Sequence, residues 1–121
     1  MTIDEFQRLI ESIYGEKDLA RGTAGTFMWF AEEVGELARA LKKGDREELE
    51  GEFADVLAWL TTLASMHGVE LSQAAAKKYA SGCPRCHKVP CRCDEATRSP
   101  APGPTAGPAA GAGPGATAPQ R

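Results

Sequence analysis

The alternation of apolar and polar positions over the first 80 residues has the period of an α-helix. It predicts a first helix over residues 3–14. Thr2, with a glutamate three residues later, is typical of a capping box that begins such a helix. We expect Gly15 to end it and the polar segment 15–25 to form a loop.

Three further helices follow from the same pattern. The second is predicted over residues 26–43 and stopped by Gly44, and the third begins at the N-cap Asp45 and continues to about residue 67. Weaker periodicity predicts a fourth helix over residues 71–80. Because the turn at Gly44 and Asp45 is tight, the second and third helices must be antiparallel neighbours.

The composition limits how much of the chain can pack. Of 121 residues 42 % are hydrophobic, but the large apolar side chains end near residue 80. A folded unit of this size buries little core and is marginal alone. We therefore expect an all-α four-helix bundle that forms a homo-oligomer.

The charge of the chain excludes several classes of partner. The formal net charge is −3 and no basic stripe is present, so binding to a nucleic acid polymer is not expected. No apolar run approaches the roughly 18 residues of a membrane span, and the first residues are acidic, unlike a secretory signal. We expect a cytoplasmic protein whose cysteines are reduced and are metal ligands before they are disulfides.

Two pairs of acidic residues stand at helical spacing. Glu33 and Glu36 share one face of the second helix, and Glu52 and Asp55 share one face of the third. Both pairs fall on the same flank of their apolar stripes, beside the helix pair. Four carboxylates so placed repel one another, and Mg²⁺ is the hard cation that oxygen ligands of this kind bind.

The alternatives for these carboxylates are a solvated helix surface and a di-iron site. Each pair alone is more often solvated surface, whereas two pairs on matching flanks favour a metal. A di-iron bundle needs a histidine three residues after a glutamate, and neither His67 nor His87 has that spacing.

Two tryptophans fall on the carboxylate flank of their helices. Trp29 lies four residues before Glu33, and Trp59 lies four residues after Asp55. An aromatic ring beside a phosphate site is a surface on which a nucleobase can stack. The alternative for each ring is packing in the core or at a subunit interface.

The stretch from Trp29 to Leu37, followed by Glu52-Phe53-Ala54-Asp55, resembles the MazG-like all-α nucleotide pyrophosphohydrolases, whose pattern is E-E-x-x-E and then E-x-x-D. The resemblance covers about residues 1–80. It implies a homodimer or homotetramer with active sites at subunit contacts. It also implies Mg²⁺-dependent hydrolysis of a nucleoside or deoxynucleoside triphosphate to the monophosphate and pyrophosphate.

The resemblance also implies roles for individual residues. Glu32 or Glu36 is the candidate to orient or deprotonate the attacking water. Cations that bind the substrate phosphates are not fixed by the motif, and solvated surface is the alternative for each candidate. The implied Mg²⁺ ligands are Glu33, Glu36, Glu52 and Asp55, and the candidate phosphate-binding cations are Lys17, Arg21, Lys77 and Lys78.

A cysteine-rich segment follows the helices. Cys83 and Cys86 form C-x-x-C, and Cys91 and Cys93 form C-x-C after a spacer of four residues. Four reduced thiols at this density predict a structural Zn²⁺ site of the zinc-knuckle kind, with His87 as an alternative ligand. The rival interpretations are a redox-labile thiol pair and an unstructured segment without metal.

The chain thus divides into a helical pyrophosphohydrolase domain over residues 1–81, a cysteine segment over 82–94 and a tail over 95–121. The tail is almost entirely Ala, Gly, Pro, Thr and Ser and is predicted to be disordered. Two alternative functions remain open at this point. One is a non-catalytic helical interaction module with a zinc knuckle, and the other is a phosphoribosyl-ATP pyrophosphohydrolase-like enzyme.

Overall fold

The computed structural model describes residues 1–94, and within them the chain is entirely helical apart from turns and coil. Helix α1 covers Ile3–Lys43, α2 covers Arg46–Met66 and α3 covers Leu71–Tyr79. The chain forms two compact units, the first comprising Met1–Ala74 and the second beginning at Ala75. The tail predicted to be disordered lies outside the described residues. None of the helices within residues 1–94 is both long and apolar enough to cross a membrane.

The predicted helix ends at the tight turn and at the N-terminus are confirmed. The Glu5 N–H donates to Thr2 Oγ1 at 3.1 Å, and the Thr2 N–H donates to the Glu5 carboxylate at 2.8 Å. Gly44 closes α1 with a left-handed φ of 79°, and its N–H donates to the Ala40 carbonyl. Asp45 begins α2 by accepting the Glu48 N–H at 2.9 Å.

The predicted loop over residues 15–25 is wrong. Helix α1 passes through Gly15 and is bent only at Gly22, where φ is 81° and ψ is 170°. A single glycine inside a helix costs about 1 kcal/mol, which good helix formers and an Asp18–Arg21 ion pair one turn apart can offset. The described residues therefore contain three helices rather than the predicted four, because the first two are joined at the bend.

Helices α1 and α2 pack against each other through a narrow and partly polar seam. Its α1 side includes Thr26, Glu33 and Ala40, spaced seven residues apart, and its α2 side includes Trp59 and Thr62. By contrast, many of the large apolar side chains that recur at helical spacing on α1 and α2 are exposed in the single chain. Phe27, Val34, Leu41, Phe53, Leu57 and Leu60 are between 39 % and 56 % exposed.

Polar contacts tie the start of α3 to α1. The Gln7 amide donates to Ser65 Oγ at 3.1 Å and to the Val69 carbonyl at 2.8 Å. Its carbonyl oxygen accepts the Leu71 N–H at 3.1 Å, and the Ser72 hydroxyl donates to the Asp4 carboxylate. A buried glutamine with both ends paired fixes where the third helix begins.

Candidate metal centre and active site

Three carboxylates from the two packed helices come together beside the seam. Glu33, Glu36 and Glu52 each place one oxygen so that these three atoms lie within 4.8 Å of one another. The spacing of three residues within α1 and the antiparallel turn at Gly44 bring them onto one side of the helix pair. The structure thus assembles three of the four residues predicted as metal ligands.

Asp55, the fourth predicted ligand, lies outside this three-carboxylate cluster and is exposed. Its charge still acts on the cluster, because it raises the pKa of both Glu33 and Glu52. Glu32 is half-buried and is not part of the cluster either. The structure therefore separates an inner group of three carboxylates from an outer Asp55.

Among the described residues, Glu36 is the only inner carboxylate that forms an ion pair. Glu33 is 6 % exposed, and Glu33 Oε2 and Glu52 Oε2 are buried without a hydrogen-bond partner among residues 1–94. The exposed guanidinium of Arg39 lies 3.5 Å from the Glu36 carboxylate. Buried carboxylate oxygens without partners are unfavourable, and a bound cation would satisfy them.

The pKa values of Glu33 and Glu52 reflect their burial and the repulsion between neighbouring carboxylates. Burial, followed by the charges of Asp55 and Glu36, raises the pKa of Glu33 above its ordinary value. Burial, followed by the charges of Glu36 and Asp55, raises the pKa of Glu52. A metal ion would reverse this balance, since a nearby positive charge favours the ionised carboxylates. Because all donors are carboxylate oxygens, the set fits a hard divalent cation such as Mg²⁺.

Trp59 supports the cluster from inside the helix pair. It is 1 % exposed, and its indole Nε1–H donates to Glu33 Oε1 at 3.3 Å. The Arg21 guanidinium lies 4.9 Å from the centroid of the Trp59 ring system. A ring so enclosed offers no open face for a nucleobase, whereas Trp29 is only half-buried and keeps that role as a prediction.

The four predicted phosphate-binding cations lie in different surroundings. Arg21 is half-buried and pairs with Asp18 at 2.9 Å, whereas Lys17 is exposed on α1. Lys77 and Lys78 are exposed on α3 and belong to the second unit. Arg21 therefore has a structural partner already, whereas Lys17 forms no ion pair with any residue from 1 to 94.

The sequence patterns did not identify Asp18 and Thr62, which are linked to Trp59 through Arg21. Asp18 is 3 % exposed and accepts the Thr62 hydroxyl at 3.0 Å as well as the Arg21 guanidinium. This contact chain orders Arg21 over Trp59, and Trp59 in turn holds Glu33. Asp18 stands three residues before Arg21, a pair that is visible in the sequence once the segment is taken as helical.

The four cysteines form a second group. All lie in the second unit, are free, and place their Sγ atoms within 4.8 Å of one another. Backbone N–H groups of Cys86 and Arg85 lower the pKa of Cys83 to about 6. His87 is not part of the group, so the described residues assemble four thiols and no imidazole.

The regular secondary structure of residues 1–94 is thus all-helical, and its antiparallel helix pair carries a candidate metal centre formed by carboxylates. Comparison with known proteins places the chain in a family. The family model of the MazG nucleotide pyrophosphohydrolase domain matches residues 22–87, and the chain belongs to that family. The match begins at the bend in α1 and reaches into the cysteine segment. No curated protein sequence matches the chain closely enough to be compared with it.

Proposed function

We propose that the chain hydrolyses a nucleoside or deoxynucleoside triphosphate to the monophosphate and pyrophosphate in a Mg²⁺-dependent reaction. One observation carries the proposal. Glu33, Glu36 and Glu52 converge, and two of their buried carboxylate oxygens have no hydrogen-bond partner in the described part of the chain. Family membership supports nucleotide pyrophosphohydrolase activity as the use of this site.

The carboxylates of this chain have two tasks in the proposed reaction, and Glu36 is a candidate for both. Glu33, Glu36 and Glu52 would hold Mg²⁺, with Asp55 completing the set from the exposed side. When bound, Mg²⁺ would supply positive charge that stabilises the negative charge developing on the phosphates. A water attacks the α-phosphorus, the bond to the bridging oxygen between the α- and β-phosphates breaks, and pyrophosphate leaves. Glu32 or Glu36 is the group to orient that water or accept its proton.

Substrate contacts are assigned by exposure and charge. Lys17 is available for phosphate oxygens and half-buried Trp29 for the base. Arg21 would act through its position over the Trp59 ring. Lys77 and Lys78 remain candidates for phosphate binding. The cysteine group takes no part in this chemistry, because thiolates suit Zn²⁺ rather than Mg²⁺.

The apolar stripe supports a homo-oligomer. Phe27, Val34 and Leu41 continue along α1 at intervals of seven residues, and all three are exposed in the single chain. An exposed apolar face with this spacing favours packing against a second pair of helices. We propose that a second copy of the chain covers this face, as a homodimer or as one contact of a homotetramer.

The test is pyrophosphate release from a panel of ribonucleoside and deoxynucleoside triphosphates, with Mg²⁺ and then with EDTA. We expect equal amounts of monophosphate and pyrophosphate, formed only with Mg²⁺. If pyrophosphate were released from phosphoribosyl-ATP alone, the proposed substrate would be phosphoribosyl-ATP rather than a nucleoside triphosphate. Absence of metal-dependent release from every substrate would contradict the enzyme proposal.

A second candidate function rests on the cysteine group. Four convergent thiols in a segment that follows a helical domain along the chain are also what a non-catalytic interaction module would carry. Under this alternative, removing residues 82–121 abolishes function, whereas Glu52→Gln leaves it intact. The enzyme proposal predicts that Glu52→Gln abolishes turnover while the helical fold remains.

A further inference from the structure

The segment that follows α3 is ordered around its cysteines without a hydrophobic core. Residues 80–94 contain neither helix nor strand, and none of their side chains is buried. So small an element cannot offset its conformational entropy by burial, and ordered elements of this kind usually need a covalent or metal cross-link. The arrangement of the thiols indicates which cross-link this is.

We propose that Cys83, Cys86, Cys91 and Cys93 bind one Zn²⁺ ion in a closed tetrahedral site that folds residues 82–94. The site is independent of the proposed hydrolysis. Its ligands all belong to the second unit, and neither the carboxylates nor the substrate cations contribute to it.

The sulfur–sulfur distances fit a shared ion. Cys83 Sγ and Cys93 Sγ are 3.8 Å apart, and Cys86 Sγ and Cys91 Sγ are 3.9 Å apart. Four thiolates at about 2.3 Å from a tetrahedral Zn²⁺ lie about 3.8 Å from one another. A disulfide would require about 2.05 Å. Cys83 and Cys93 are the first and last ligands along the chain, so one ion bound to both would hold the two ends of the segment together.

Backbone groups support the thiols. The Arg92 N–H donates to Cys86 Sγ and the Cys93 N–H donates to Cys91 Sγ, both at 3.4 Å. The first turn is closed by the His87 N–H, which donates to the Cys83 carbonyl at 2.7 Å. Such outer contacts orient metal ligands and partly neutralise their charge.

Gly82 permits the close approach that shapes the segment. Its φ is 93°, and a Cβ there would lie 2.9 Å from Val89 Cγ2 and 3.0 Å from the Lys88 carbonyl oxygen. The Cys83 N–H donates to that same carbonyl at 3.2 Å. The two cysteine pairs are therefore brought together by a turn that only glycine fits at this position.

Charge complementarity favours a tetrathiolate zinc centre. Zn²⁺ with four thiolates carries a net charge of −2. Residues 82–94 contain the cations Arg85, Lys88 and Arg92 and the single carboxylate Asp94, a net charge of +2. Soft thiolates select Zn²⁺ over Mg²⁺, and Zn²⁺ binds such sites more tightly than Fe²⁺. With all four positions taken by cysteine, no position stays open for a substrate, so the role is structural.

The first test is the metal content of the full-length chain, measured by inductively coupled plasma mass spectrometry. The chain is purified under reducing conditions from cells grown with added zinc. We expect one zinc per chain in the wild type and its loss in Cys91→Ser. Replacement of the metal by Co²⁺ should give thiolate-to-cobalt charge-transfer absorption, which a carboxylate site cannot produce. A wild-type chain without zinc, or one with iron in its place, would overturn the proposal.

His87→Gly is the matched control. His87 has a φ of 55°, which glycine adopts without strain, so the variant removes the imidazole and keeps the turn. We expect it to retain one zinc per chain, and loss of zinc equal to that of Cys91→Ser would refute the four-cysteine ligand set. Iodoacetamide labelling of the wild type avoids folding effects of the variants. Zinc should slow the labelling of all four thiols by more than tenfold, and equal rates with and without zinc would contradict the site.

Discussion

The indole N–H of Trp59 donates to Glu33 Oε1 at 3.3 Å, so a buried ring on α2 holds a buried carboxylate on α1. The hydrogen bond lowers the pKa of Glu33, in opposition to burial and to neighbouring acids that raise it. Trp59 is therefore a positioning residue. It favours the ionised form of the carboxylate and fixes its orientation within the proposed metal centre.

Trp59→Phe tests this role. The substitution removes the donor and keeps most of the ring, so we expect Mg²⁺ affinity to fall about tenfold, as for other residues that orient metal ligands. The pKa of Glu33 should rise, which moves the acid limb of the Mg²⁺-dependent rate to higher pH. Trp29→Phe is the control and should leave this limb in place. An unchanged pH profile in Trp59→Phe would show that the bond does not tune Glu33.

The crowded carboxylates should make the metal-free chain less stable as pH rises. The folded-state pKa of Glu33 lies above its unfolded value, so the folded chain binds more protons between the two values. Stability associated with Glu33 is therefore full below the unfolded pKa and is lost as pH rises through the folded pKa. Glu33→Gln removes this ionisation while the amide oxygen can still accept the Trp59 N–H.

Thermal melting in EDTA at several pH values checks this expectation. We expect Glu33→Gln to melt above the wild type at neutral pH, with the difference vanishing at pH 4. Mg²⁺ should raise the melting temperature of the wild type and not that of the variant. Glu47→Gln, on an exposed part of α2, is the control. A variant that melts below the wild type at neutral pH in EDTA would argue against repulsion at this site.

Sequence patterns predicted local features of the fold well and tertiary features poorly. The caps at Thr2, Gly44 and Asp45 depend on neighbouring residues alone, and all three are confirmed. Gly15 failed as a helix end because helix formers on both sides continue the helix through it. The hydrogen bond of Trp59 to Glu33 joins residues 26 positions apart, which no periodicity can reveal.

The apolar stripe shows a second limit of sequence patterns. Periodicity correctly predicted a helix here, but Phe27 and Val34, which lie on its apolar side, are exposed in the single chain. A pattern cannot distinguish a face that meets the same chain from one that meets a second copy. The carboxylate spacing placed Glu33, Glu36, Glu52 and Asp55 on one side of the helix pair, and the structure brings oxygens of the first three within 4.8 Å of one another.

The bend at Gly22 should depend on glycine. With φ at 81° and ψ at 170°, the backbone lies in a region that other residues rarely adopt. We expect Gly22→Ala to lower the free energy of unfolding by about 1–3 kcal/mol, although a Cβ there meets no atom within 4 Å. Gly51→Ala is the matched control, because Gly51 is helical and equally open.

Urea denaturation measures both variants. Gly51→Ala should stabilise the chain by about 0.5–1 kcal/mol through helix propensity alone. If both substitutions shifted the midpoint in the same direction, the special conformation of Gly22 would not matter to stability.

Asp18 should be the most costly polar residue to remove from the first unit. It is buried and accepts both Arg21 and Thr62. Asp18→Ala leaves a half-buried guanidinium without its partner, and we expect a loss of about 3 kcal/mol. Glu50→Ala breaks the exposed Arg46–Glu50 pair and should cost less than about 1 kcal/mol. Equal losses in denaturation experiments would contradict the structural role of Asp18.

The most direct test of the central claim compares pyrophosphate release by Glu52→Gln and Glu47→Gln, two variants of the same helix, at saturating Mg²⁺ on the preferred triphosphate. Glu52 belongs to the three-carboxylate cluster and Glu47 does not. We predict that Glu52→Gln lowers turnover by about 1,000-fold, equivalent to roughly 4 kcal/mol of transition-state stabilisation. Glu47→Gln should match the wild type. Wild-type turnover in Glu52→Gln, with its helical content intact, would contradict the assignment of the cluster as the catalytic metal centre.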